Sequence, residues 1–157
     1  MRITELNELL PHRERMKLID TILDVGDDFA VTESTVTARW PLVDAGAAST
    51  IVIVELVAQT ASACVGWKRK RENPSLSRGR GWLVGIKEAR FFTAAVPLNT
   101  RVTTRAETVF NFEGYTGIEG RVEVDGTLIG TVTLQVLEAE NDSVLTENTT
   151  GRPPEAT

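Results

Sequence analysis

Residues 51–71 read IVIVELVAQTASACVGWKRKR, and this stretch decides the fold. It predicts one long helix, with Ser49 or Thr50 as the N-cap, in which apolar residues occupy nearly every side. Only Glu55 and Gln59 place strongly polar groups in its first half. A helix without a polar face is buried on all sides, so the rest of the chain must wrap around it.

The segments that flank this helix have the composition of strands and turns. β-Branched and apolar residues predict strands over residues 18–25, 29–40, 81–92, 100–112, 115–124 and 127–137. Asp125-Gly126 is the strongest hairpin signal, and residues 111–114 predict a second turn. Residues 3–10 predict a short helix that stops at Pro11, and residues 41–48 have no regular pattern.

These elements predict an α+β fold in which one antiparallel sheet is rolled around one buried helix. Residues 1–139 would form a single domain. Residues 140–157 are poor in apolar side chains and contain Pro153-Pro154, so they predict a disordered tail. The edges of such a half-roll commonly pair with a second copy, and the sequence therefore also predicts a homodimer or a higher oligomer.

Bulk properties exclude several classes of protein. A net charge of −5 argues against nucleic acid as a partner. The single cysteine, Cys64, excludes an intrachain disulfide and reads as a small buried hydrophobe, and no Cys/His cluster has metal-binding spacing. The first residues lack the features of a signal peptide, and Glu55 and Gln59 interrupt the longest apolar window. We therefore expect a cytoplasmic protein without a transmembrane segment and without a metal.

Glu55 is the strongest candidate for chemistry. A carboxylate in an apolar helix is costly unless it is hydrogen-bonded, paired or lining a cavity, and a cavity would suit a general acid or base. Gln59 lies one turn later, so both side chains leave the same face. The alternative is structural, with Glu55 capping a backbone group or pairing with an arginine at a subunit interface. His12 is the one histidine, a residue type whose unperturbed pKa lies near neutral pH, and it is a further catalytic candidate, although a lone histidine is usually structural.

A run of cations closes the predicted helix. Lys68, Arg69, Lys70 and Arg71 suit the negative end of the helix dipole. Such a run is commonly a solvated helix end. Its functional interpretation is a binding site for the phosphate of a pantetheine carrier, or for an acidic carrier protein, with Lys68, Arg69 and Arg71 as the contacts.

Three motifs resemble a known family. Residues 9–13 (LLPHR) and 16–20 (MKLID) resemble the LPHR…LLVDRV opening of the 3-hydroxyacyl-[acyl-carrier-protein] dehydratases of fatty-acid synthesis, and residues 54–59 (VELVAQ) resemble their IEAMAQ helix. The chain is more similar still to the aryl-polyene-type branch, through residues 54–72 and 81–87. The resemblance covers nearly the whole predicted domain.

The resemblance implies a hotdog fold, a dimeric unit and the dehydration of a 3-hydroxyacyl thioester held on acyl carrier protein, in fatty-acid or polyene-type lipid synthesis. It implies no cofactor, because the substrate itself arrives on phosphopantetheine. In the family, a histidine of a GHFPG motif abstracts the α-proton, and a helix carboxylate of the other subunit assists loss of the hydroxyl. Backbone N–H groups near the helix start polarise the thioester. Glu55 matches that carboxylate, in the motif that also contains Gln59.

One motif departs from the family. Arg39-Trp40-Pro41-Leu42 stands where HFPG is expected, so Arg39 replaces the histidine, and an arginine cannot act as a base near neutral pH. Three interpretations follow. The chain is a dehydratase that uses Glu55 with His12, a complementing or binding-only subunit of a mixed dimer with a histidine-bearing hotdog chain, or an acyl thioesterase that needs only Glu55.

Overall fold

The computed structural model describes residues 9–10, 14–74 and 80–139. In chain order its elements are a 3-10 turn over Glu14–Met16, β1 (Thr21–Val25), β2 (Phe29–Thr35), β3 (Val43–Asp44), β4 (Ala47–Ser49), α1 (Val52–Glu72), β5 (Arg80–Phe91), β6 (Ala95–Pro97), β7 (Arg101–Phe112), β8 (Tyr115–Val124) and β9 (Thr127–Ala139). The helix predicted over residues 3–10 and the tail predicted over residues 140–157 lie outside the described residues, apart from Leu9 and Leu10, which are buried. The division into a domain over residues 1–139 and a tail stays a prediction.

One helix and one large sheet dominate the architecture. The sheet is antiparallel, has six strands in the order β1-β2-β7-β8-β9-β5, and wraps around α1. A three-stranded sheet of β3, β4 and β6 lies next to the start of α1. The predicted α+β class and the predicted hotdog arrangement are confirmed.

The helix is enclosed because the sheet can approach it closely. The shared core contains Val52, Ile53, Leu56 and Val57 from α1 and Val102, Ala106, Ile118, Val122, Val132 and Leu134 from the sheet. Gly120 of β8 lies beneath Val57, where a Cβ atom would collide with the valine. Gly66 admits the N-terminal segment, since a Cβ there would come within 2.7 Å of the Leu9 carbonyl oxygen. Both positions need a residue without a side chain.

The start of α1 differs from the sequence prediction. The N-cap position is Ile51, which has no side-chain capping bond. The Ser49 hydroxyl oxygen lies 3.4 Å from the Ile51 nitrogen, before the helix begins. The predicted caps, Ser49 and Thr50, were wrong because β4 extends to Ser49 and keeps its backbone in the strand.

The segment between β2 and α1 is more regular than its sequence indicated. β2 ends at Thr35 instead of continuing to Trp40, whose backbone N–H donates to the Thr37 carbonyl oxygen at 3.1 Å in a turn. The Trp40 side chain is buried in the core that contains the helix residues, so the loop after β2 returns to the helix at this residue. Residues 41–48, which showed no regular pattern in the sequence, contain β3 and most of β4. Strands of two or three residues are too short to show an alternating pattern.

Both predicted hairpin turns are confirmed. Asp125 and Gly126 have φ angles of 50° and 76°, and Glu113 and Gly114 have φ angles of 49° and 82°. Two consecutive residues with positive φ are typical of the type I′ turn, whose twist matches that of the strands it joins. These turns set the register of the meander formed by β7, β8 and β9.

Leu42 takes the left-handed conformation, with a φ of 58°, and its side chain is 60% exposed. A residue with a side chain is strained there by about 1–2 kcal/mol, whereas glycine is not. We expect Leu42→Gly to raise the free energy of unfolding by about 0.5–1 kcal/mol, measured by urea denaturation. Ala38→Gly, at an exposed position without positive φ, is the control and should lower it. No gain at Leu42 would contradict the assignment of strain.

β5 is an edge strand of the large sheet. One side of it pairs with β9, and no described strand pairs with its other side. Two register shifts within residues 83–88 show that bulges bend it. Leu83 and Ile86 are paired with Val136 and Leu134 on the helix-facing side of the sheet, yet they are 49% and 50% exposed. The helix of its own chain therefore does not cover this face of β5.

Candidate active site

Two polar side chains meet inside the largely apolar first half of the helix. Glu55 and Gln59 are one turn apart on α1, and the Gln59 Nε2 donates a hydrogen bond of 2.7 Å to the Glu55 Oε1. Glu55 is half-buried, whereas Gln59 is fully buried. The predicted placement of both side chains on one helix face is confirmed.

The Gln59 amide also holds the segment that precedes β1. Its Nε2 donates to the Met16 carbonyl oxygen at 2.5 Å, and its Oε1 accepts from the Leu18 backbone N–H at 2.9 Å. A backbone N–H must bind an oxygen and a carbonyl must bind an N–H. These two partners therefore assign the oxygen and the nitrogen of the Gln59 amide. The two hydrogens of Nε2 are both used, one on Met16 and one on Glu55.

Glu55 is the member of this arrangement that can exchange a proton. The hydrogen bond at its Oε1 orients the carboxyl, which is what a general acid or base requires. Gln59 has given both amide hydrogens to protein oxygens, so the geometry favours a supporting role, and its predicted catalytic role stays a prediction. Met16 and Leu18 contribute through backbone atoms, and no side-chain pattern could have indicated them.

Arg39, which stands where the histidine is expected, is exposed in the loop after β2. The Arg15 Nε donates to the Arg39 carbonyl oxygen at 3.2 Å, and Arg15 directly precedes Met16. The loop that would present a catalytic base is thus attached to the segment that Gln59 holds. Arginine side chains do not act as bases near neutral pH, so Arg39 cannot take the role of the missing histidine. Arg15 was not among the predicted site residues, and its position between two resembling motifs is the one hint to it.

His12 lies outside the described residues. The structure therefore gives no distance between His12 and Glu55. Leu10, two residues before His12, is described and is fully buried. The catalytic role of His12 stays a prediction.

The cations at the end of α1 lie far from Glu55. From residue 55 to residue 68 the helix advances 13 residues, which is about 20 Å at 1.5 Å per residue. The Arg71 Nη1 lies 2.5 Å from the Asp27 Oδ1 in the β1–β2 turn, and its guanidinium stacks 4.8 Å from the centre of the Trp67 ring. The hydrogen bond between Arg71 and Asp27 lowers the pKa of Asp27 and raises the pKa of Arg71. A phosphate or carrier contact by this basic run stays a prediction, and Arg71 already has a carboxylate partner.

Cys64 is the buried residue that the sequence predicted. It is 5% exposed, and its Sγ lies 3.5 Å and 3.7 Å from the carbonyl oxygens of Gly26 and Asp27. Burial raises the pKa of the thiol to about 11, so it is protonated and unreactive near neutral pH. Within the described ranges, no group of histidine, cysteine and acidic side chains is arranged to hold a metal ion. Nor does the described part of the chain contain a helix long and apolar enough to cross a membrane.

Known proteins match most of the chain in sequence. A family model of ApeP-like proteins, described as ApeP dehydratase, matches residues 4–147. The 3-hydroxyacyl-[acyl-carrier-protein] dehydratase FabZ of Streptococcus pyogenes serotype M3 is 30% identical over 140 residues, covering 85% of this chain and 96% of that protein. The FabZ of Streptococcus pyogenes serotype M1 is 33% identical over 143 residues, with the same coverage of 85% and 96%.

Solved structures share the fold at lower identity. A chain of the dehydratase heterocomplex ApeI:P from Xenorhabdus doucetiae has a TM-score of 0.78 and 21% identity, covering 87% of this chain and 91% of that one. A hypothetical thioesterase with coenzyme A from Streptococcus pneumoniae TIGR4 has a TM-score of 0.61 and 15% identity, covering 76% and 84%. At these identities the two likenesses support the fold alone.

Proposed function

The chain belongs to the ApeP-like dehydratase family, and on that basis we propose that it takes part in the dehydration of 3-hydroxyacyl thioesters carried on acyl carrier protein. The observation that carries the proposal is the half-buried Glu55 carboxyl, which Gln59 holds in the largely apolar first half of α1. No cofactor is required, because the pantetheine arm belongs to the substrate. The product would enter fatty-acid or polyene-type lipid synthesis.

Dehydration requires an acid and a base on one substrate. A base removes a proton from C2, the electron pair forms the C2–C3 double bond, and the hydroxyl leaves C3 as water after accepting a proton. Glu55 donates that second proton, and the Gln59 N–H at its Oε1 keeps the carboxyl in one orientation. This is the role that the resemblance implies for the helix carboxylate.

The base comes from a second hotdog chain. Arg39 cannot accept a proton, and β5 presents half-exposed Leu83 and Ile86 along a side with no described partner strand. A partner strand there would cover these side chains, and a partner with an intact HFPG histidine would supply the missing base. The similar ApeI:P structure is itself described as a dehydratase heterocomplex, which is an assembly of the kind proposed here.

The proposal is tested by an assay with a 3-hydroxyacyl thioester on acyl carrier protein. We expect the purified chain alone to form no 2-enoyl product. We expect its mixture with a histidine-bearing hotdog chain from the same organism to form that product, detected by mass spectrometry of the carrier. The histidine-bearing chain alone is the control that shows how much activity depends on this chain being present.

Other outcomes decide between the alternatives. Turnover by this chain alone would overturn the mixed dimer, and His12→Asn would then have to abolish the activity. Release of free carrier thiol without enoyl product would identify the thioesterase that uses Glu55. No product from the mixture would contradict the dehydratase proposal.

A further inference from the structure

Arg15 and Arg39 form a pair of cations next to Met16, whose carbonyl oxygen is bound by Gln59. The Arg15 Nε donates to the Arg39 carbonyl oxygen at 3.2 Å, so the two residues are in direct contact, and both are exposed. Within the described part of the chain, neither guanidinium has a carboxylate at salt-bridge distance. This arginine pair is therefore a concentration of positive charge that the described residues do not neutralise.

Other arginines of the sheet and helix provide the contrast. Each of the following lies 2.5–3.8 Å from a carboxylate oxygen: Arg71, Arg90, Arg101, Arg105 and Arg121. The chain has 22 acidic residues against 17 lysines and arginines, so carboxylates are abundant. Two exposed arginines that are in contact through a side chain and a backbone carbonyl, and that have no carboxylate partner among the described residues, are suited to bind an anion from outside the chain.

The arginine pair lies on the exposed side of the candidate site. Met16, which follows Arg15, accepts a hydrogen bond from the Gln59 Nε2 that also donates to Glu55. In order of decreasing exposure, the three side chains are exposed Arg15, half-buried Glu55 and fully buried Gln59. A substrate with its reacting carbons at Glu55 and its carrier in solvent would extend past the arginine pair.

We propose that Arg15 and Arg39 bind the phosphate of the pantetheine arm on which the thioester is carried. The inference rests on the proposed function. Guanidinium groups recognise phosphate through paired, charge-assisted hydrogen bonds, and two of them can contact different oxygens of one group. The same phosphate is present on carrier protein and on coenzyme A. Arg39, which replaces the expected base, thus acts in substrate binding and leaves the proton transfer to other groups.

This site is distinct from the basic run at the end of α1. Lys68 lies about 20 Å along the helix from Glu55, and Arg71 is paired with Asp27. The arginine pair, by contrast, is connected to Glu55 through Met16 and Gln59 alone. Substitutions at the arginine pair and substitutions in the basic run can therefore distinguish which of the two sites binds phosphate.

The binding test compares phosphopantetheine with pantetheine, which lacks the phosphate, by calorimetry on the full chain in its assembled form. We expect the wild-type protein to bind phosphopantetheine roughly 10- to 100-fold more tightly than pantetheine, as expected for charge-assisted hydrogen bonds. The double variant Arg15→Gln, Arg39→Gln should bind the two compounds alike. Glutamine at residue 15 can still donate to the Arg39 carbonyl oxygen, so the loop keeps its attachment. This test needs no turnover, and its result is independent of whether the protein is a dehydratase.

The kinetic test uses the 3-hydroxyacyl thioester on acyl carrier protein, on coenzyme A and on pantetheine. The double variant should raise KM by roughly 10- to 100-fold for the first two substrates and leave KM for the pantetheine thioester unchanged, with kcat retained. The matched control is Arg101→Gln with Arg121→Gln, two sheet arginines that pair with Glu33 and Glu123. A KM increase confined to the carrier-protein substrate would overturn phosphate binding in favour of contact with the carrier's own surface.

Three further results would overturn the inference. The first is equal binding of phosphopantetheine and pantetheine by the wild-type protein. The second is a loss of phosphate preference that follows Lys68→Gln with Arg69→Gln and not the arginine pair. The third is a double variant that no longer associates with its partner chain, because the arginines would then face a carboxylate of that chain.

Discussion

Replacing Glu55 by glutamine should abolish dehydration by the assembled enzyme without unfolding it. The glutamine oxygen can still accept the hydrogen bond from the Gln59 Nε2, which is 2.7 Å from the Glu55 Oε1 in the native chain. The amide cannot donate or accept a proton at neutral pH, so the loss is chemical. General acid–base catalysis contributes about 10²- to 10⁴-fold, and we expect kcat to fall by that factor in the carrier-protein assay.

The matched control is Glu72→Gln, at the exposed last residue of the same helix. Its kcat should equal that of the wild-type protein. Thermal denaturation of Glu55→Gln should show an unchanged transition, which separates lost chemistry from lost structure. Full activity of Glu55→Gln would remove the carboxyl from the mechanism and with it the central element of the proposed function.

Gln59→Ala should have the largest effect on stability. The substitution removes the partners of the Met16 carbonyl and the Leu18 N–H, at a position where Gln59 is fully buried. Leaving the buried Leu18 N–H unsatisfied costs about 1–3 kcal/mol, and losing the part-buried bond to the Met16 carbonyl costs about 1 kcal/mol. Together they should lower the free energy of unfolding by about 3 kcal/mol. For a chain of this size the melting temperature should fall by about 10 °C. Activity should also fall below that of the wild-type protein at temperatures where the variant is folded, because Glu55 loses the hydrogen bond that Gln59 donates.

Gln135→Ala, on an exposed position of β9, is the control and should leave the melting temperature nearly unchanged. Gln59→Glu is the conservative counterpart. Its introduced carboxyl can donate to the Met16 carbonyl only when protonated, so this variant should gain stability as the pH falls. A Gln59→Ala protein as stable as the wild type would show that the segment over residues 16–18 is held by other contacts.

The long elements of the fold were predictable because their signals are local. The apolar stretch around α1 and the Asp125-Gly126 turn encode a buried helix and a hairpin without reference to the rest of the chain. The errors fall where tertiary contacts decide. β2 ends at Thr35 because the chain turns to bury Trp40, and Ser49 fails to cap α1 because it belongs to β4.

The site was predictable only in part. The four-residue spacing of Glu55 and Gln59 places both on one helix face, and the hydrogen bond between them follows from that spacing. The partners of Gln59 are backbone atoms of Met16 and Leu18, more than forty residues away in sequence, and depend on the folded path of the chain. The contact between Arg15 and the Arg39 carbonyl oxygen has the same origin. Local sequence does not determine which distant backbone carbonyl a side chain will bind.

The bent edge of β5 also bears on what happens to a surplus of this subunit in the cell. A flat, unpaired strand invites other chains to add to it and to grow into aggregates. Here two register shifts and the exposed charges of Lys87, Glu88 and Arg90 interrupt that template. A cell could therefore synthesise this chain and its proposed partner in unequal amounts without the excess polymerising. The uncovered Leu83 and Ile86 would still mark the unassembled subunit as a target for chaperones and proteases.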